Sequence, residues 1–595
     1  MQEPAISFYT EKHRNYAEEL QSLTKILKRF AWFRFFAFIS IFIPLFIFGL
    51  ANWSILLISF FALILFIFLV KKNIELDKKR QNLIALKNFA ENELLALEHS
   101  FLHFKDGKEF ADIEHFFSYD LDLFGEGSLF QFLNRTATIN GKHKLADWLI
   151  KPLVDKTEIE IRQDAVKELS LIPDWRMHFL ANGNLFEETD EMSGEIISWS
   201  ELELVLNNAK AVKWLIRIVP VLTVLSMIPA VLGITNLYLI VTVFMQWVLF
   251  YFFSKRITQY FGYFGRKSEL LSKYMQLLQF IEKKEFKADY LVELQKKVRR
   301  PESASKIFSH LKSLVKELEY RQNIVVGIIL NSFLLWDIRC VYKLWIWHCR
   351  NHKKLADWTD VIGEMDALIS LANYAHNHPE YIFPKIREDG FMLKAKQMGH
   401  PLLHGKKRVC NDLEISGWSK VVLITGANMA GKSTFLRTVG VNLVLSGIGA
   451  PVCAEELSVT PIQIYTNMRT TDSLLKDESY FFAELRRIKG VLDRLEKGER
   501  IFVILDEMLK GTNSVDKLNG SRELIRRLIN LKTVSLIATH DLKLSEMEEE
   551  FPQQVLNKCF EIKIENDELI FDYLLTDGAT KTMNATFLMK KMGII

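Results

Sequence analysis

Apolar and polar positions divide this chain into unlike halves. From Phe35 to Val70 no charged residue occurs, and the same holds from Ile218 to Ser254. Each stretch is too long for one membrane-spanning helix of about 20 residues and suits two. Pro44, Gly49 and Asn52-Trp53-Ser54 interrupt the first stretch; Pro229 and Gly233-Ile234-Thr235-Asn236 interrupt the second. Lys25, Lys28, Arg29 and Arg34 precede the first, and Lys71, Lys72, Lys78, Lys79 and Arg80 follow it. Lys210, Lys213 and Arg217 precede the second, and Lys255 and Arg256 follow. Basic flanks stay on the cytoplasmic side, so each stretch is expected to enter the bilayer and return as a hairpin. The competing reading is two very apolar helix pairs inside a soluble core; the basic brackets argue against it. A third apolar run, Ile324–Trp336, is too short to span, and a buried core helix is expected there.

The remaining pattern orders the chain. We expect an N-terminal helical lead over 1–30, hairpin one over 31–72 and a helical linker over 73–119. A helical core or lever region follows over 120–210, then hairpin two over 211–256 and a second helical part over 257–389. Residues 390–595 alternate strand-like and helix-like segments, an α/β pattern. The fold class is thus a C-terminal α/β domain joined to a mainly α-helical region that carries two transmembrane helical hairpins. A net charge of +4 over 595 residues neither demands nor excludes nucleic acid. The five cysteines lack C-x-x-C spacing, so no zinc site or disulfide framework is signalled. Glu11, Glu18 and Glu19 ahead of the first apolar stretch are unlike a cleavable signal peptide.

The α/β region holds the chemistry. The apolar run Val421-Val422-Leu423-Ile424 leads into Gly426-Ala427-Asn428-Met429-Ala430-Gly431-Lys432-Ser433-Thr434. A strand, a glycine-rich turn and a helix start in this order make a phosphate cradle from backbone N–H groups. Lys432 reaches β- and γ-phosphates, and the Ser433 hydroxyl ligates Mg²⁺. A second buried strand, Ile501-Phe502-Val503-Ile504-Leu505, ends in Asp506-Glu507. Asp506 is expected to hold Mg²⁺ through water, and Glu507 to orient the attacking water. A third strand, Thr533–Ala538, ends in Thr539-His540-Asp541, and His540 is placed to sense a γ-phosphate. Ser479 opens a helix after Asp477-Glu478. It is either an N-cap or a hydroxyl offered to a phosphate on another subunit.

These residues resemble those of ABC-type ATPases, and most closely the MutS mismatch-repair family. Thr425–Thr434 is similar to that family's T-G-P-N-M-G-G-K-S-T. Asp506-Glu507 with Lys510-Gly511-Thr512-Asn513-Ser514, Ala538-Thr539-His540, Gly399-His400-Pro401-Leu402-Leu403 and Asn411-Asp412-Leu413 continue the resemblance. So do Glu364-Met365-Asp366-Ala367-Leu368 with Ser370-Leu371-Ala372. Earlier, Gly127-Ser128-Leu129-Phe130, Leu133-Asn134-Arg135-Thr136, Gly141, Trp148–Leu153, Arg162, Ala165-Val166 and Leu169 resemble the start of the family's lever. The likeness covers roughly 120–170 and 360–595.

It implies an ATPase using ATP and Mg²⁺, with Glu507, Lys432 and His540 catalytic and Ser433 and Asp506 at the metal. It also implies a homodimer in which Ser479 reaches the other subunit's nucleotide, and mismatched or structured DNA as partner. With the hairpins, the bilayer is a further partner. The expected location is the cell inner membrane, multi-pass, with the ATPase domain cytoplasmic. The family's Phe-x-Glu mismatch wedge has no counterpart; Phe124-Gly125-Glu126 has only the bare spacing. Asp477-Glu478 stand where the family has Gly-Arg, and Gly578-Ala579 and Asn584-Ala585 keep a C-terminal family pattern only in part. Lys296-Lys297 and Arg299-Arg300 suit DNA phosphates, lipid heads or a solvated face. Two rivals stand beside this reading: a membrane ATPase scaffold for a protein or lipid partner, and an ABC-type transporter, which the lever pattern opposes.

Overall fold

The computed structural model describes residues 3–48, 53–202, 208–264, 267–427, 429–469, 480–509, 513–565 and 568–580. The C-terminal region is built on two sheets. Strands β1 (Lys385–Ile386), β2 (Met392–Met398), β3 (Asn411–Ser416) and β5 (Glu456–Val459) form the smaller one, in the order β1-β5-β2-β3. The larger sheet contains β4 (Lys420–Gly426), β6 (Gln463–Asn467), β7 (Ile501–Asp506), β8 (Val534–Thr539), β9 (Val555–Glu565) and β10 (Glu568–Asp577). Its order is β10-β9-β4-β8-β7-β6. All of its neighbours run parallel except β10, which hairpins back on β9. Continuous apolar runs such as Val421–Ile424 and Phe502–Leu505 are buried on both faces, as a helix-covered parallel sheet requires.

The lever is helical, and its motif residues turn out to be its joints. Asp366, on the long helix Trp336–Asn377, is fully buried. Its carboxylate accepts hydrogen bonds from the Ala137 N–H, the Thr138 N–H at 2.8 Å and the Thr138 hydroxyl at 2.7 Å. Where the helix Ile139–Ile150 crosses, a Cβ on Gly141 would lie 2.2 Å from Asp366, and one on Gly363 would lie 2.9 Å from Asn140. Only glycines admit this approach. Arg135 pairs with the buried Glu93 at 2.5 Å, and the Ser370 hydroxyl accepts the Arg135 N–H at 3.0 Å. Phe124, half-buried, packs on Phe110 and Phe130, with ring centroids 5.8 and 5.6 Å away, so it leans on the core and does not stand free as a base-reading wedge.

Hairpin one is two helices, Glu3–Phe48 and Trp53–Leu97, longer than the charge-free stretch at both ends. They run antiparallel: Glu19 pairs with Lys79 at 2.7 Å and Phe38 meets Phe66 at 5.6 Å. At the base, the Tyr9 hydroxyl lies 3.1 Å from Asn373 and Asn377 on the long lever helix. Hairpin two is Ala209–Val231 and Leu237–Phe264. Among the described residues, Leu56–Leu97, Ala209–Val231 and Leu237–Phe264 are long and apolar enough to cross a membrane by length and composition. Trp32, Phe46 and Phe61 are 64%, 92% and 66% exposed.

Two expectations are corrected. Helix does not continue through 98–119: it ends at Leu97, and the chain then follows an irregular path through Gly107 at φ +66°. This segment spends its polar groups on other elements, the Phe116 carbonyl accepting the Thr466 N–H at 2.9 Å. Second, the helix Ile324–Leu334 is not buried: Ile324, Val325 and Ile329 are 75%, 65% and 53% exposed, and it is Gly327, Asn331 and Ser332 that face the protein.

Candidate functional site

Strand β4 delivers the chain into the phosphate loop at a point that excludes side chains. A Cβ on Gly426 would meet the Phe560 carbonyl at 2.9 Å, and Gly431, at φ +103°, would place one 3.0 Å from the Tyr573 ring. The helix Lys432–Gly447 starts immediately, with Ser433 and Thr434 in its first turn. Its other face rests on the lever. A Cβ on Gly440 would lie 2.5 Å from Leu121, and the Leu153 N–H donates to the Gly447 carbonyl at 2.9 Å. The family-like segment Trp148–Leu153 is therefore the seat of the phosphate-loop helix.

Lys432 is buried, and its Nζ donates to the Gly426 and Ala427 carbonyls at 2.8 and 2.9 Å. Burial pulls its pKa down to about 8, against the opposing pull of Asp506 and Glu507. The parallel register sets Asp506 beside Ala538 and Thr425 beside Thr539, so β4, β7 and β8 open at one carboxyl edge. Glu507 follows with φ +57°, a left-handed conformation uncommon outside glycine, held by its N–H donating to the Ala538 carbonyl at 3.0 Å. His540 Nε2 lies 2.6 Å from Glu507 Oε1 and Lys432 Nζ lies 3.4 Å from His540 Nδ1. With the proton on Nε2, the imidazole donates to the carboxylate, and the Lys432 ammonium, 3.2 Å from Nε2 as well, stands beside the ring.

These groups line a cavity of about 760 Å³ together with Met398, His400, Asn411, Phe560 and Tyr573. Burial, with Arg437 nearby, pushes the His400 pKa down to about 4, so it presents a neutral ring. Asn411 clamps the far wall: its Nδ2 donates to the Tyr573 carbonyl at 3.0 Å and its Oδ1 accepts the Leu575 N–H at 2.7 Å. Tyr573, at φ +56°, sits in a bulge of the β9–β10 pairing. The donor set fits a magnesium-bound nucleoside triphosphate. One hydroxyl, Ser433, and one carboxylate, Asp506, leave Mg²⁺ positions for phosphate oxygens and water. Among the described residues no cluster of three or more His, Cys, Asp or Glu would hold a metal by itself.

The structure brings together Ala427, Met429, Gly431, Lys432, Ser433, Thr434, Asp506, Glu507 and His540, with Gly426 and Ala430 shaping the loop. Asn428 and Ser479, with the Asp477-Glu478 pair before it, lie outside the described residues, as do Lys510–Thr512 and Asn584-Ala585. Phe560 and Tyr573 were not anticipated. Of the basic cluster, Lys297 pairs with Glu293 at 3.5 Å and Arg299 Nε donates to the Glu282 carbonyl at 2.7 Å, both exposed.

A second polar centre ties this region to the lever. Asp120, fully buried, accepts the Thr466 hydroxyl at 2.7 Å, the Met468 N–H at 3.2 Å and the Arg469 N–H at 2.9 Å. Arg487 reaches the same carboxylate at 3.4 Å, and Arg469 grips Asp122 with both arms of its guanidinium.

Fold and site together define a P-loop α/β domain seated on a helical lever. Two family models match, MutS domain V over residues 422–590 and MutS domain III over 115–213. The DNA mismatch repair protein MutS of Thermotoga maritima is 32% identical over 250 residues, covering 41% of this chain and 31% of the relative. MutS protein homolog 4 of Mus musculus is 28% identical over 275 residues, covering 44% of this chain and 26% of the relative; the Homo sapiens homolog 4 is also 28% identical. Residues 115–213 and 422–590 of this chain thus carry the MutS family's domains III and V. The matched part spans under a third of the length of these curated relatives.

Proposed function

We propose that this chain is a membrane-anchored MutS-type ATPase that works as a homodimer and binds mismatched or structured DNA in an ATP-dependent way. The observation that carries the ATPase reading is the convergence of Lys432, Asp506, Glu507 and His540 on one phosphate-loop cavity. Loop N–H groups and Lys432 would hold the β- and γ-phosphates of ATP, and Ser433 and Asp506 would hold Mg²⁺, which supplies further neutralisation of phosphate charge. Glu507 accepts a hydrogen bond from the attacking water and aims it, and His540 fixes the carboxylate that does so. Water adds to the γ-phosphorus, and ADP and phosphate leave. The phosphate-loop helix bears directly on Leu121 and Leu153, so changes at the nucleotide have a mechanical path into the lever. By resemblance, Ser479 serves the nucleotide of the second copy.

DNA as the target is supported by the family and by the relatives' names. The inner-membrane anchor is supported by exposed apolar helices with basic brackets. The decisive test is steady-state ATP hydrolysis by detergent-solubilised protein with duplex, mismatched and branched DNA, at stated salt because phosphate contacts are salt-sensitive. Turnover should respond to at least one of these DNAs. Glu507→Gln should retain ATP while turnover falls by about 10²-fold or more; normal turnover in that variant would sink the mechanism. An ATPase indifferent to every DNA would remove DNA from the proposal. Release from membranes by salt alone would remove the anchor.

A further inference from the structure

We infer that the helix Ile324–Leu334 inserts into the hydrocarbon of the bilayer as a re-entrant, non-spanning element beside hairpin two. The inference rests on the membrane reading of that hairpin and extends it to a segment whose length alone would exclude it. Eleven residues make a helix of about 16 Å, half of a hydrocarbon core.

Three independent observations converge. First, the outward face is apolar and continuous with the hairpin. Ile324, Val325, Ile328 and Ile329 are 49–75% exposed, no charge occurs from Gln322 to Trp336, and the inward face packs on both hairpin helices. Second, the chain enters and leaves at one place. Arg321 before the helix and Asp337 after it lie 3.5 Å apart, the Tyr320 and Trp336 rings are 6.3 Å apart, and Trp336 Nε1 donates to the Glu317 carbonyl. Tyr, Trp and Arg are the side chains that mark a membrane–water boundary.

Third, the bend is closed by side chains of the hairpin and of the helix itself. The path turns 81° between Leu334 and Trp336, with Leu335 at φ +48°. In lipid, each backbone group freed by such a break must be bonded internally. Gln246, fully buried in the middle of Leu237–Phe264, accepts the Leu335 N–H at 3.1 Å while its own amide donates to Thr223 at 2.6 Å. Asn331 accepts the Asp337 N–H at 3.0 Å, and Trp247 Nε1 donates to the Ser332 hydroxyl at 3.1 Å. Glutamine and threonine inside otherwise apolar hairpin helices thus have a definite task. They cap the C-terminal end of the short helix where it packs on hairpin two.

The test uses the full-length protein with Cys349→Ser and Cys410→Ser, reconstituted in phosphatidylethanolamine–phosphatidylglycerol vesicles. Spin labels are placed at Ile328→Cys and, separately, Ile329→Cys. Leu225→Cys on hairpin two and Lys297→Cys on a polar helix serve as references. Collision with oxygen is compared with collision with a water-soluble nickel chelate. Labels at 328 and 329 should favour oxygen several-fold, as at 225 and unlike 297. Nickel access at 328 and 329 with 225 shielded would overturn the inference and leave the hairpin standing. Nickel access at 225 as well would overturn the membrane reading and the inference with it.

Discussion

The nucleotide head and the apolar arms use the same residue types in opposite senses. In the head, Phe502, Leu436 and Ile504 are inside, and so are the decisive charges, Lys432 and, at its edge on the lever, Asp120. In the arms, Phe46, Phe61 and Val231 face outward, and the charges stand in brackets at the ends. A head of this kind is stable in water because each buried charge has partners. An outward face of phenylalanine has no polar partners of this kind, and exposed apolar patches mark surfaces that associate with protein or membrane. The lesson is that burial in this protein is defined by region, and that the arms are tied to the lever at a few joints, Arg135–Glu93 and Tyr9 with Asn373 among them.

The sharpest way to break this comparison is to remove one carboxylate from each region. Asp120→Ala leaves the buried Met468 and Arg469 N–H groups without this acceptor and removes the carboxylate that faces Arg487 and the Thr466 hydroxyl, and should destabilise the folded protein by about 3–5 kcal/mol. Glu75→Ala in the arm removes only an exposed pair with Lys72, 3.0 Å long, and should cost under about 1 kcal/mol. Denaturant unfolding in detergent reads both. Equal effects would show that Asp120 does not join head to lever.

Next in size is the apolar counterpart. Leu436→Ala, at a fully buried site on the phosphate-loop helix, should cost about 2–5 kcal/mol. Phe61→Ala removes a larger side chain but one that is 66% exposed, and should shift unfolding by no more than about 0.5 kcal/mol in detergent. A large loss at Phe61 would mean that the arm's aromatic face is covered by protein.

How much of this could be read from the chain follows the same division. The phosphate loop, Asp506-Glu507 and His540 were legible because phosphate chemistry fixes residue types at fixed strand ends. Asp366, Gly141 and Arg135 were visible as a pattern, yet that Asp366 bonds Ala137 and Thr138 beside Gly141, and that Arg135 bonds Ser370 and Glu93, are tertiary facts. Tyr573 was not legible. Its place over Gly431 depends on a bulge that no glycine or proline marks and that Asn411 holds from another strand. The path of 98–119 was misread because its helix-like composition continues past Leu97, while its carbonyls accept from Gln131, Asn134 and, at Phe116, from β6. Ile324–Leu334 was misread because a short charge-free run looks the same on a buried and on an exposed helix; Gln246, which accepts the Leu335 N–H, lies 89 residues earlier in the chain.

The smallest effect tests the head alone, through protons. Lys432 has its pKa drawn from the ordinary 10.5 to about 8 by burial. Between these values the unfolded chain holds the proton and the folded head has released it, so this group's contribution to stability rises with pH across that window. Phosphate needs the ammonium, so the contribution to binding runs the other way. Below pH about 8 the free site is already charged and ATP affinity should be flat. Above it, binding must take up a proton, and affinity should fall by up to about tenfold per pH unit. Calorimetry at pH 8.5 in two buffers of unlike ionisation enthalpy measures that proton directly. ATP affinity that is flat from pH 7 to 9, with no proton uptake, would show that the buried lysine keeps its charge without the nucleotide. The Gly426 and Ala427 carbonyls at 2.8 and 2.9 Å would then suffice to hold it.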